Sequence, residues 1–286
     1  MPTRAEAITE GAGRLRASRV PEERRAAGVL LCHLLGIDRT HLLTRSNEPV
    51  DEALYRAYLD LIERRAAGEP LQYITGHQEF YGLDFTVTPA VLIPRPETEF
   101  LIERILALAD NDDPLIVDVG TGSGCIAVTL AHSLARARVI AIDISGAALE
   151  VARTNAGRHN VSASIDFIEG DMLEPLAGCG LERKVDFLAS NPPYVPDGII
   201  GSLQREVRDW EPKEALSGGA EGVDFYRRLL MDGERYVRRG GCLVCEIGYS
   251  QLQLVSSMID AKEWELLDVT SDMQGIPRVL TVRRLP

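Results

Sequence analysis

Positive charge is scarce in this sequence. Its formal net charge is −12, and the first 85 residues contain no lysine at all. Binding nucleic acid by bulk electrostatics needs clustered Lys and Arg, so this balance argues against direct nucleic-acid recognition. Long apolar runs are missing too. Met1 to Val20 holds no apolar core of the kind a signal peptide needs, and nothing approaches the ~18 apolar residues of a membrane span. The expectation is a cytoplasmic protein that does not engage membranes. The five cysteines (Cys32, Cys125, Cys179, Cys242, Cys245) are odd in number and scattered, the usage of a reducing compartment. Cys242 and Cys245 lie in an apolar run that reads as a strand, where positions i and i+3 point to opposite faces. Two buried core thiols are expected there, not a redox or zinc pair. The five histidines show no metal-ligand spacing, so no metal is expected.

What is present is ordinary globular material, 286 residues with 45% hydrophobic and 26% charged content, enough for one large domain or two smaller ones. Residues 1–85 carry 11 arginines against 13 acids, a net of −2, so −10 belongs to the remainder. The N-terminal part is therefore the better surface for an anionic partner. It reads as helices. Pro21-Glu22-Glu23 forms a favourable first turn, and Gly36 closes the segment after Leu30, Leu31, Leu34 and Leu35. Asp51-Glu52 opens another helix with Leu54, Tyr58, Leu61 and Ile62 on one face, stopped by Gly68-Glu69-Pro70. This predicts a helical domain over residues 1–70.

Residues 71–93 change pattern. Tyr73-Ile74, Phe80-Tyr81 and Phe85-Thr86-Val87 are short β-like pieces separated by Gly76 and Gly82, which predicts a β-hairpin linker. Residues 94–286 form the third region. Pro96-Glu97 starts a helix carrying Phe100, Leu101, Ile105 and Leu108. Strands then alternate with helices: Leu115–Val119, Val139–Ile142, Ser164–Ile168, Val185–Ser190, Gly241–Ile247, Trp264–Val269 and Arg278–Val282. Seven strands alternating in this way predict a mostly parallel sheet with helices on both faces, an α/β fold. Ligands in such sheets sit at the carboxyl ends of strands, near the switch point.

The motifs fall at those ends. The first of the seven strands runs into Asp118-Val119-Gly120-Thr121-Gly122-Ser123-Gly124, where alternate glycines allow a tight turn and a close approach by a ligand. Asp143 ends the next strand, placed to hold ribose hydroxyls. Asp171 follows the third and can meet a base edge, with Met172 packing on its face. The spacing is G-x-G-x-G, not the dinucleotide G-x-G-x-x-G, and no phosphate-binding lysine follows. Gly120, Thr121, Gly122, Ser123, Gly124, Asp143, Asp171 and Met172 therefore point to a nucleoside cofactor without a pyrophosphate.

After the fourth strand comes Ser190-Asn191-Pro192-Pro193-Tyr194-Val195-Pro196. Adjacent prolines can neither continue a helix nor donate to a sheet ladder. They do stiffen a backbone between an amide side chain and an aromatic ring. A planar nitrogen is a poor nucleophile because its lone pair is delocalised. Two acceptors aimed at its N–H bonds favour pyramidalisation by binding the positive charge that develops. Asn191 offers its side-chain oxygen, Pro192 its carbonyl, and Tyr194 a ring face on which a flat group can lie. At ~1.5–3 kcal/mol each, the two acceptors contribute ~3–6 kcal/mol, or roughly 10²–10⁴ in rate. Holding nitrogen and methyl in line can supply ~7–11 kcal/mol more. No strong base is required. This chemistry beside a nucleoside site suggests S-adenosylmethionine, with S-adenosyl-L-homocysteine as product. Asn191 would then border both cofactor and substrate, and Asn191 to Tyr194 would hold the substrate nitrogen.

Asp118–Gly124, Asp143 and Asn191–Tyr194 resemble the class I methyltransferases acting on planar nitrogen. With Glu69–Gly76, Leu92–Glu99 and Gly275-Ile276-Pro277-Arg278-Val279, nearly the whole chain resembles the bacterial release factor glutamine methyltransferase family. The resemblance implies a Rossmann-like seven-stranded domain behind an N-terminal substrate-recognition domain. It implies N5-methylation of the glutamine in the Gly-Gly-Gln motif of peptide-chain release factors, by a cytoplasmic enzyme expected to be monomeric. The family's cofactor loop falls on Gly120–Gly124, its ribose acid on Asp143 and its amide-binding tetrad on Asn191–Tyr194. Some members carry an aromatic where this chain has Met172.

Four other readings compete. A glutamine methyltransferase acting on a ribosomal protein would share the tetrad. So would an adenine-N6 methyltransferase holding a flipped base, which the acidic composition disfavours. An oxidoreductase lacks its glycine spacing, and a non-catalytic binding module has no use for both Asn191 and the cofactor acid. Arg95 and Glu97 either line the cleft or cap the helix that follows.

Overall fold

The computed structural model describes residues 1–110 and 113–286, and the chain forms two compact units. The first comprises Met1–His77 together with Gln204–Trp210, and the second Gln78–Leu203 with Glu211–Pro286.

The first unit is all helical: Arg4–Ala17, Glu23–Leu35, Arg39–Thr44, Glu52–Ala66 and Leu71–Thr75, joined from later in the chain by Arg205–Trp210. Polar side chains start three of these helices. Thr3 and Glu6 make a reciprocal capping box, Asp38 accepts from the His41 N–H, and Asp51 accepts from the N–H groups of Ala53 and Leu54. The second helix begins at Glu23 instead of Pro21, because Glu22 is left-handed at φ 50° and cannot belong to a right-handed turn. Gly36 closes that helix at φ 62°. Leu15, Leu30, Leu31, Tyr58 and Ile62 build the core of the unit, whereas Leu54 is exposed. Arg65 is buried, its Nη1 donating to the Glu69 carbonyl and pairing with Glu206 at 2.7 Å, while its Nε has no partner among the described residues.

Tyr73-Ile74 is helical, a correction to the β reading of that pair. Pro70 stands at the N-cap of Leu71–Thr75 and Gly76 at its C-cap with φ 78°, so both ends suit one short helical turn. Both side chains are buried, Ile74 in the core of the helical unit, and that burial overrides their strand propensity. The two-stranded hairpin comes later, as β1 (His77–Phe80) and β2 (Leu83–Thr86), turning at Tyr81-Gly82 with both residues at positive φ.

The second unit is built on a seven-stranded sheet of β3 (Leu115–Val119), β4 (Arg138–Asp143), β5 (Ile165–Glu169), β6 (Val185–Ser190), β7 (Val237–Glu246), β8 (Trp264–Ser271) and β9 (Pro277–Arg284). Their order is β5-β4-β3-β6-β7-β9-β8, parallel from β5 to β7 and antiparallel for β9 against both its neighbours. The order reverses at β3, whose neighbours are β4 on one side and β6 on the other. β7 begins earlier than its apolar run, at Val237, and its pairing with β6 slips between Val185 and Phe187.

Side chains alternate between two cores. Ile116, Phe187, Ala189 and Cys242 enter one, while Val117, Val119, Leu188 and Cys245 enter the other. The two cysteines of the C-x-x-C are thus buried on opposite faces, as strand geometry requires, and burial pushes the Cys245 thiol up to about 12. Among the described residues no helix is long and apolar enough to cross a membrane.

Candidate active site

Register brings the motifs together. Val119 pairs with Ile142 on one side and Ser190 on the other, and Ser190 pairs with Cys245. One step further along each strand, Asp143, Gly120, Asn191 and Glu246 stand in a row across four carboxyl ends. Residues separated by more than a hundred positions meet there because four parallel strands stop at the same level, at the point where strand order reverses.

The loop after β3 is shaped by its glycines. Gly120, Gly122 and Gly124 have φ of 72°, 55° and 80°, the left-handed region that side chains avoid. A Cβ on Gly120 or Gly122 would meet no atom within 4 Å, so the backbone there is open to a ligand, whereas one on Gly124 would lie 3.0 Å from the Ala152 Cβ. The Gly120 and Thr121 N–H groups both donate to the Ile142 carbonyl. Beneath the loop, Asp118 is fully buried and one of its oxygens accepts from the Thr121 hydroxyl at 2.6 Å and the Ala127 N–H at 3.2 Å. Burial raises its carboxyl to about 7. Buried Asn155 ties the loop to the hairpin, donating to the Ser123 and Thr86 carbonyls and accepting from the Thr86 N–H.

Asp143 accepts from the Gly122 N–H at 2.8 Å and the Ser145 N–H at 2.9 Å. Burial raises its pKa, against backbone bonds from Ser145, Gly122 and Ile144. A carboxylate has about four acceptor directions, so capacity remains for a hydroxyl such as that of a ribose. After β5, Asp171 is held by Arg228 through two parallel bonds of 2.9 Å. Met172 is left-handed at φ 52°, and its side chain is buried in the core with Leu173 and Leu176. Open glycine backbone, a seated acid with spare acceptor capacity and a clamped second acid together fit a nucleoside ligand.

On the other side of the switch point, the end of β6 carries Asn191. Its Nδ2 donates to the Thr98 hydroxyl at 3.1 Å. Neither its Oδ1 nor the Pro192 carbonyl accepts a bond from any other described residue. Tyr194 is gripped from several directions. Its hydroxyl donates to Glu246 at 3.2 Å, and its carbonyl accepts from Gln251 Nε2 at 2.9 Å. A Cβ on Gly222 would come within 2.3 Å of that carbonyl, and one on Gly248 within 2.9 Å of the ring. Burial, then the Glu246 charge, push the phenol above its usual range. It is a fixed neutral surface, not a base.

Three of the residues that hold this end were missed in the sequence: Thr98, Glu246 and Gln251. Glu246 had a signal, as the one charge in the apolar run Cys242–Ile247. Arg95 and Glu97 make no capping bond; Arg95 pairs with buried Glu211, and Glu97 lies 3.8 Å from Arg278.

Residues 6–76 match the PrmC N-terminal domain, and residues 96–201 the methyltransferase small domain. A release factor glutamine methyltransferase of Koribacter versatilis is 43% identical over 271 residues, covering 94% of both chains. Its counterpart from Moorella thermoacetica is 46% identical over 260 residues, covering 91% of this chain and 90% of that one. The chain belongs to the release factor glutamine methyltransferase family. Among solved structures, the hMettl16 catalytic domain in complex with a MAT2A 3′UTR hairpin shares the fold at TM-score 0.57 and 16% identity, covering 86% of this chain and 87% of that one. A methyltransferase from Pyrococcus furiosus does so at TM-score 0.51 and 17% identity, covering 81% of this chain and 98% of that one. The second unit thus has the class I methyltransferase fold, and the family is one of protein glutamine methyltransferases.

Proposed function

We propose that this chain transfers the methyl group of S-adenosylmethionine to the side-chain N5 of the glutamine in the Gly-Gly-Gln motif of peptide-chain release factors. The observation that carries the reading is the pair of open acceptors, Asn191 Oδ1 and the Pro192 carbonyl, at the end of the strand beside the glycine loop. An unsubstituted amide has two N–H bonds, and these acceptors can take one each. They gain strength as positive charge develops on nitrogen, so they favour the transition state over the planar ground state. The Tyr194 ring supports the flat amide, and its raised pKa keeps it uncharged.

S-adenosylmethionine, when bound, supplies an electrophilic methyl group on a sulfonium centre. Gly120–Gly124 would face it with bare backbone, Asp143 would accept from its ribose, and Asp171 with Met172 would border its adenine. The helical unit, which matches the PrmC N-terminal domain, is the candidate surface for the release factor. The proposed setting is the cytoplasm, with the enzyme a monomer.

The test offers labelled S-adenosylmethionine with release factor, ribosomal protein and an RNA hairpin in parallel, and locates the label by mass spectrometry. Label on the Gly-Gly-Gln glutamine is expected. Label on the ribosomal protein or the RNA instead overturns the substrate while leaving the chemistry of the site in place.

A further inference from the structure

Glu246 is a carboxylate buried at the end of β7, and it accepts two bonds, from the Thr98 hydroxyl at 2.6 Å and the Tyr194 hydroxyl at 3.2 Å. Thr98 is itself buried and closes the short turn Pro96–Thr98 that runs into the Glu99–Leu108 helix, with helical φ −68° and ψ −18°. Its hydroxyl makes no capping bond and lies between Glu246 and the Asn191 amide.

We propose that Glu246, acting through Thr98, is the positioning residue that decides which end of the Asn191 amide faces the substrate. The argument is one of hydrogen-bond polarity. Thr98 donates to Glu246 Oε2 at 2.6 Å; in its ionised form Glu246 can only accept, so at pH 8, where turnover is compared, the single Thr98 proton must point toward it. What Thr98 then offers Asn191 is a lone pair, and only the NH₂ end of an amide can meet a lone pair. The Asn191 Oδ1 is therefore turned the other way, free to accept from the substrate nitrogen. Were the amide reversed, an NH₂ would meet the substrate N–H groups and repel them. The same carboxylate anchors the Tyr194 hydroxyl, so one buried charge orders both the acceptor and the ring surface. This inference rests on Asn191 being an acceptor for the substrate amide.

Four variants of the full chain test it: Thr98→Val, which keeps shape but removes the hydroxyl; Thr98→Ser, which restores it; Glu246→Gln; and the double variant Thr98→Val with Glu246→Gln. Turnover is measured with release factor at pH 8, and S-adenosylmethionine affinity by calorimetry. Thr98→Val is expected to lower kcat roughly 10–100-fold with cofactor affinity unchanged, as for one bond that orients a charge-stabilising group. Thr98→Ser should recover most of that loss. Because Glu246 acts through Thr98, the double variant should be no slower than the slower single one. Wild-type turnover with Thr98→Val left near the wild-type rate overturns the relay, as do losses that multiply in the double variant. Absence of methyl transfer in the wild type instead fails the proposed substrate, so the two outcomes stay separate. Should Thr98→Val not fold, Glu246→Gln is compared with Tyr194→Phe, which removes only the anchor of the ring: a kcat loss beyond that of Tyr194→Phe with retained cofactor binding supports the relay, and an equal or smaller loss overturns it.

Discussion

The two halves of the strand-end row are built on different principles. The half after β3 and β4 is mostly backbone, with three left-handed glycines, N–H groups seated on the Ile142 carbonyl, and Asp143 bonded to N–H groups of its own loops. The half after β6 and β7 is mostly side chain, and its partners come from far apart, Asn191 reaching Thr98 and Thr98 reaching Glu246. Backbone can present an open surface to a ligand with little dependence on distant residues. Orienting one amide end against its near-isosteric alternative takes a polar chain with a defined direction. Binding and chemistry should therefore be separable by mutation.

Asn191→Ala gives the largest expected effect. It removes the acceptor proposed to face the developing charge, and turnover should fall by about 10²–10³-fold or more, judged by the loss of comparable oxyanion-hole groups. Cofactor affinity, by calorimetry, should stay close to wild type. A large loss of both would mean the two halves are not independent. Asp143→Ala is the mirror experiment. Cofactor affinity should weaken by roughly 10–100-fold, for one or two lost bonds to a charged acceptor, and saturating cofactor should restore much of the rate. Unchanged affinity would remove Asp143 from the ribose site.

Glu246→Gln sharpens the comparison through pH. Burial raises the Glu246 carboxyl to about 7, above its ordinary value of 4.5. Between those two values the folded state holds a proton that the unfolded chain has released, so this group lowers stability as pH rises through the window. The cost is fully present above about pH 7 and absent below the ordinary range. Glu246→Gln should accordingly gain melting temperature relative to wild type on going from pH 5 to pH 8, while turning over more slowly. A melting difference independent of pH would mean Glu246 does not titrate in this window. The smallest expected effect is Gly122→Ala. A residue with a Cβ held at φ 55° carries about 1–2 kcal/mol of strain, which should appear as a modest loss of stability and of cofactor affinity, with the chemistry of bound substrate unaltered.

Much of this molecule was legible as local pattern. β3 and β6 end close to where their apolar runs do, at Val119 and Ser190, because a parallel strand buried on both faces is mostly apolar, here interrupted by the buried Asp118 and Asp186. The glycine spacing reported its own backbone, since each of the three needs a conformation other residues avoid. Tyr73-Ile74 misled because strand and helix propensities differ by little over two residues and burial in the helical unit outweighs them. The return of residues 204–210 to the first unit had no local signal at all, since nothing in R-E-V-R-D-W states which chain segment it will pack on.

Composition and pattern alone sufficed for the α/β class, the order of the strands in the chain, the open glycine turn and the position of Asn191 and Pro192 at a strand end. These depend on backbone sterics and on functional groups, and both are properties of short stretches. The register that levels four strand ends, the placement of the Thr98 hydroxyl between Asn191 and Glu246, and the direction of the bonds from Asn191 to Glu246 were decided only in three dimensions. A hydrogen bond reaches about 3 Å, so which donor meets which acceptor across 93 or 148 residues of chain is a matter of where the sheet delivers them.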